Sequence, residues 1–130
     1  MTVPAPRSGV LRHAGSGEVV ACDACLAEGF RSLLIGLIGR PSVPAGFALG
    51  LVGCDQVHTF GVRFPIDVAY CDREGMVLLA VDALPPNRVS PRARGAVIAW
   101  EMPAGTLDGR IKPGDTLRWE AERKPPPIGV

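Results

Sequence analysis

The chain has little of what marks the commoner functional classes. It carries no excess of one charge: fourteen basic against thirteen acidic residues leave a formal charge of +1 over 130 residues. That balance excludes the basic footprint of a nucleic-acid binder and the polybasic patch of a membrane-surface protein. Aromatic residues make up only 5%, and Trp100 and Trp119 fall in strand-like segments, where packing accounts for them better than a base-stacking platform. The apolar run Phe30 to Ile38 is broken by Gly36, carries Arg31 and is too short to cross a bilayer. At the start stand Pro4, Pro6 and Gly9 rather than a basic segment leading into an apolar one. A cytoplasmic protein with reduced thiols at Cys22, Cys25, Cys54 and Cys71 is therefore expected. Phosphate-cradling loops and dinucleotide fingerprints are absent, as is a Gly-x-Ser-x-Gly elbow, and Ser32, Ser42 and Ser90 lack a nucleophile context. Nothing indicates ATP-, NAD- or acyl-transfer catalysis, and no cofactor is expected.

What is present is a 47% hydrophobic chain, enough for one compact core without staples. Residues 1–17 read as a flexible arm with at most a frayed strand at Val10-Leu11, residues 18–122 as a single domain, and residues 123–130 as a proline-rich tail. Val19-Val20-Ala21 suits a short strand. Asp23 is placed to cap a helix extending to about Arg40, with Leu26, Phe30, Leu33, Leu34 and Leu37 at three- and four-residue steps. Strands follow at Phe47 to Leu51, Thr59-Phe60, Ile66 to Tyr70, Met76 to Val81, Ala96 to Met102 and Thr116 to Glu120. In the third of these, Ile66, Val68 and Tyr70 alternate and are expected to face inward. The run Met76 to Val81 is continuously apolar and predicts burial on both faces. Leu84 to Pro91 reads as an extended loop across the sheet, and Thr106 to Gly109 permits one helical turn. Short strands punctuated by Gly and Pro predict a mainly β fold, a sandwich or barrel with one accessory α-helix.

The chemistry-bearing residues concentrate in Val57-His58-Thr59-Phe60-Gly61-Val62-Arg63-Phe64-Pro65-Ile66-Asp67, followed by a β-rich run closing at Asp72. His-Thr-Phe-Gly, then Arg-Phe-Pro-Ile-Asp, resembles the domain of unknown function 192 family of bacteria and archaea. Gly36-Leu-Ile-Gly-Arg40, Ala96 to Gly105 and Ile111-Lys-Pro-Gly-Asp115 are similar to further family segments, so the resemblance runs from about Val19 to Glu120. Within the family the chain looks like the branch with Cys-x-x-x-His-Thr-Phe-x-Met-Arg-Phe-Pro-Ile-Asp. It departs at Val62, where methionine is usual, a change of packing rather than of chemistry. The resemblance implies no activity, because none is established for the family.

Arg40, Arg63, Asp67 and Glu101 are two cations and two anions on segments that the fold is expected to gather. One reading is a structural network of arginines forked onto carboxylates. The other is an anion-binding or acid/base cleft. His58 is a candidate base or ligand, with Thr59 beside it as a hydroxyl donor. Cys22-x-x-Cys25 with Cys54 and His58 has the ligand types of a weak zinc set. The reading preferred is a non-catalytic module that binds a small molecule or serves another protein, its site the Cys54 to Asp67 segment, without nucleic-acid binding or membrane insertion. The alternatives are an enzyme using His58, Asp67 and Glu101 as acid and base, and a zinc-stabilised structural module.

Overall fold

The computed structural model describes residues 7–28 and 37–122. Seven strands form one sheet: β1 (Arg7–His13), β2 (Val19–Ala27), β3 (Phe47–Val52), β4 (Ile66–Cys71), β5 (Val77–Leu84), β6 (Ile98–Pro103) and β7 (Leu117–Ala121). Their order is β5-β4-β6-β3-β2-β1-β7. Strands β2 and β3 pair in parallel and the other neighbours are antiparallel. The sheet curls into a half-barrel whose two edges touch at one end. There Met76 bridges Thr116, and Val77 donates its N–H to the Asp115 carbonyl at 2.7 Å, while Leu117 donates to that of Gly75 at 2.9 Å.

Ladder partners share a face of a sheet and successive residues alternate between faces, so the registers sort the strand side chains into two layers. The inner layer joins Leu11, Ala24, Ala48, Ala69, Cys71, Val77, Trp100, Met102 and Leu117, residues drawn from both ends of the strand order. One inner row runs Leu26, Gly50, Trp100, Ala69, Ala80 across five strands. A Cβ at Gly50 would stand 2.6 Å from Cζ3 of Trp100, so the indole lies in the place that any larger residue would fill. The outer layer joins Phe47, Leu49, Leu51, Ile66, Val68, Tyr70 and Ala99, covered by Leu37, Val57, Val62 and Ala93 from the loops.

Several expectations change here. Among the described residues there is no helix, and Asp23 is no helix cap: Asp23 to Ala27 continue β2 and pair in parallel with Phe47 to Leu51. Residues 29–36, which hold most of the expected apolar helix face, lie outside the described residues. Strand β1 runs through the stretch read as a loose arm and buries Leu11 completely between β2 and β7. Strand β4 is buried along its whole length rather than on alternate residues, because loops cover one face and the curl of the sheet the other. Strand β5, an edge, is only partly buried along most of its length, not covered on both faces. Thr59 and Phe60 sit in a turn beside an isolated bridge of His58 with Val89 rather than in a strand. Thr106 to Gly109 forms turns.

Candidate functional site

The structure separates the six charged and polar residues expected to form one site. Asp67, the second residue of β4, pairs with Met102 and points into the inner layer, 1% exposed. Its Oδ1 accepts the Ala83 N–H at 2.8 Å, and its Oδ2 accepts the N–H groups of Gly105 at 3.0 Å and Leu107 at 2.9 Å. Ala83 lies where the β4–β5 register slips, with φ of 47°. The carboxylate therefore holds a bulge in the edge strand and pins the turn after β6, whose Leu107 plugs one end of the half-barrel. Arginine plays no part in this: among the described residues neither Arg40 nor Arg63 pairs with a carboxylate, which corrects the expected fork. Arg40 instead lies over the Phe47 ring at 5.5 Å, and Arg63 is exposed.

Glu101 is one residue out of step with Asp67 and lies on the other face, between Leu49 and Val68. It is 4% exposed in the apolar outer layer, and burial pushes its carboxyl up to about 7. Cys54 and Tyr70 are near enough that its charge adds to the burial that raises both. The Tyr70 hydroxyl bonds Ser90 Oγ and accepts the Val57 N–H at 3.0 Å, so it ties two covering loops to β4. Thr59 is fully buried, donating to the Pro85 carbonyl at 2.6 Å and accepting the Arg88 N–H at 2.9 Å. His58 is exposed, its ring 5.4 Å from that of Phe60.

The thiols also divide. Cys22 is exposed, Cys25 and Cys54 are partly buried, Cys71 is buried, and all four are free. Burial lifts the Cys71 thiol to about 12. Cys22 and Cys25 lie on a strand rather than astride a helix start, and among the described residues no three His, Cys, Asp or Glu side chains converge on a common point.

Sequence reasoning missed one concave feature altogether. Opposite the Leu107 plug, the other end of the half-barrel opens as a cleft of about 560 Å³, lined chiefly by Leu26, Ile98, Trp100, Leu117 and Trp119. Ala14, Val97 and the Asp72 to Gly75 turn form its rim. Trp119 donates its indole N–H to the Ala24 carbonyl at 2.9 Å and is thereby held against β2. The signal in sequence was faint: two tryptophans in strands, and small residues, Gly50 and Ala69, on strands that only the register makes neighbours of Trp100.

Fold and cleft together define a small half-barrel β domain, plugged at one end and open at the other. The profile of the DUF192 family, described as an uncharacterized ACR, matches residues 11–119, and the chain belongs to that family. No curated protein matches. A candidate transcription regulator from Sinorhizobium meliloti 1021 is similar in structure, with TM-score 0.76 at 19% identity over 92% of this chain and 97% of that one. A protein of unknown function from Novosphingobium aromaticivorans DSM 12444 gives 0.73 at 18% identity over 89% and 94%. The family assignment and the mainly β, single-domain reading stand.

Proposed function

We propose that the protein is a non-catalytic module that binds a small, largely apolar molecule in the open mouth of the half-barrel. The observation that carries this is the tryptophan-lined cleft, whose volume of about 560 Å³ falls within the usual span of ligand pockets, roughly 300 to 1,000 Å³. Barrel mouths are a common place for such sites, and apolar walls with a polar rim suit a ligand with an apolar body. The reading moves the site away from the Cys54 to Asp67 segment, whose buried members are engaged in holding loops. An acid/base enzyme built on His58, Asp67 and Glu101 finds no support, because the two carboxyls leave opposite faces of the sheet and His58 is exposed. A role in transcription, which belongs to the description of the Sinorhizobium protein, draws no support from a formal charge of +1. No described helix is long and apolar enough to cross a membrane.

A thermal-shift screen of a small-molecule library tests the proposal, run on the parent and on Ala14→Trp, which fills the rim from an exposed position. Hits that stabilise the parent and not the variant support it. Hits kept by the variant, or no hits, overturn it.

A further inference from the structure

The loops over the outer layer build a second feature on another part of the surface. Ile38, Phe60 and Val89 are 41%, 50% and 54% exposed, half of the large hydrophobic side chains that stand out from the described surface. They come from three separate segments that touch one another. Val89 bridges His58, whose ring lies beside Phe60. Gly39 donates its N–H to the Gly61 carbonyl at 3.2 Å, and a Cβ at Gly61 would stand 3.1 Å from Ile38 Cγ2.

The patch is held from beneath. Thr59, between His58 and Phe60, makes its two short side-chain bonds to Pro85 and Arg88. Its backbone N–H also donates to the Arg88 carbonyl at 2.8 Å, and its carbonyl accepts the Asn87 N–H at 3.1 Å. The segments are thus stitched into one platform, so little ordering entropy remains to be lost when something binds.

The charged residues on these three segments are of one sign. Arg40, Arg63 and Arg88 are exposed on these same segments, and none is ion-paired among the described residues. The arginines that do pair with carboxylates, Arg12, Arg92, Arg110 and Arg118, lie on other segments. Arg88 donates to the Asn87 carbonyl at 3.2 Å, a bond that leaves its charge uncompensated. A near-neutral chain thus keeps three guanidiniums without ion-pair partners among the described residues on the segments of this exposed apolar patch.

We propose that this platform docks an acidic peptide segment of a protein partner, with an apolar side chain seated against Phe60, Ile38 and Val89 and carboxylates reaching Arg63 and Arg88. Arginine forks match carboxylates geometrically, and apolar centres with charged rims are the usual anatomy of recognition surfaces. The apolar side chains lie half-packed on the platform rather than projecting from it. That shape suits a peptide laid across it better than insertion among lipid chains.

The test is fluorescence anisotropy with labelled synthetic peptides that alternate glutamate with leucine and phenylalanine, beside lysine-for-glutamate counterparts. The glutamate peptides bind, rising salt weakens them, and the lysine peptides do not bind. Phe60→Ser and the pair Arg63→Glu with Arg88→Glu each weaken binding by about tenfold or more. Arg94→Glu, an exposed arginine farther along the same β5–β6 connection, leaves binding unchanged, which separates this platform from general attraction to cations. Far-ultraviolet circular dichroism and thermal midpoints confirm that each variant folds. No binding, or binding that Arg94→Glu weakens as much as the platform variants, overturns the proposal. So does co-sedimentation with phosphatidylserine–phosphatidylcholine vesicles that Phe60→Ser abolishes while no peptide binds.

Discussion

Asp67 and Glu101 stand on hydrogen-bonded neighbouring strands, one residue out of register, and their carboxyls leave opposite faces of the sheet. Both are buried, yet their surroundings are opposite in kind. Asp67 is met by three backbone N–H donors, whereas Glu101 lies among apolar side chains with no hydrogen-bond or ion-pair partner among the described residues. A pair of acids that reads in sequence as one site is thus two devices, one that pins a plug and one that costs stability when ionised.

Asp67→Asn is expected to destabilise the fold by roughly 1–3 kcal/mol. The amide leaves one oxygen for three donors and turns two N–H groups of its own toward them. Urea melts give the size of the loss. Hydrogen exchange at Ala83, Gly105 and Leu107 locates it, since these are the amides that lose their acceptor. An unchanged midpoint with unchanged protection at those amides contradicts this assignment.

Glu101 makes stability depend on pH, and the sign follows from the direction of its shift. Its folded pKa of about 7 lies above the ordinary 4.5, so between these values the folded state holds a proton that the unfolded state has released. As far as this group is concerned, stability is greatest below about pH 4.5, falls as pH rises through about 7, and is lower by about 3 kcal/mol above that. Glu101→Gln removes the dependence and is expected to raise the midpoint at pH 8 while changing little at pH 5. Denaturant melts of both proteins at the two pH values check the difference.

Thr59→Val keeps shape and removes the hydroxyl, leaving the Pro85 carbonyl and Arg88 N–H without their partner. A loss of roughly 1–3 kcal/mol is expected. Faster amide exchange at Arg88 accompanies it, because loop and platform share that bond.

Thiol reactivity is expected to follow burial. Native protein treated with iodoacetamide is labelled first at exposed Cys22, and at Cys71 only after unfolding, since burial lifts that thiol to about 12. Peptide mass spectrometry of time points reads the order. Early labelling of Cys71 contradicts its place in the inner layer.

Much of the sheet was legible, because Phe47 to Leu51, Ile66 to Tyr70 and Thr116 to Glu120 alternate or carry β-formers between Gly and Pro turns. The reading failed at β2, for a local reason. Gly9 pairs with Ala24 and Leu11 with Ala21, so three steps on β2 oppose two on β1. This bulge places Ala21 and Ala24 together in the inner layer. In sequence Asp23 reads as a cap and Leu26 as the first of an apolar series at three- and four-residue steps, and only pairing with β1 and β3 makes Asp23 to Ala27 part of a strand. The charged residues were found by sequence, but not their partners. Those of Asp67 are backbone amides of Ala83, Gly105 and Leu107, which no side-chain pattern announces. The cleft was invisible for a related reason: its lining is spread from Ala14 to Trp119, and strand register alone assembles it.

The mouth of the half-barrel is tested most directly by two-dimensional NMR of labelled protein titrated with small aromatic and aliphatic fragments. The expected result is saturable shifts of the Trp100 and Trp119 indole N–H signals, together with the amides of Leu26, Ile98 and Leu117, while Val57, Thr59 and Glu101 stay in place. Shifts confined to the outer layer and its loops, or no saturable shift at either indole across the fragment set, would contradict binding in the mouth.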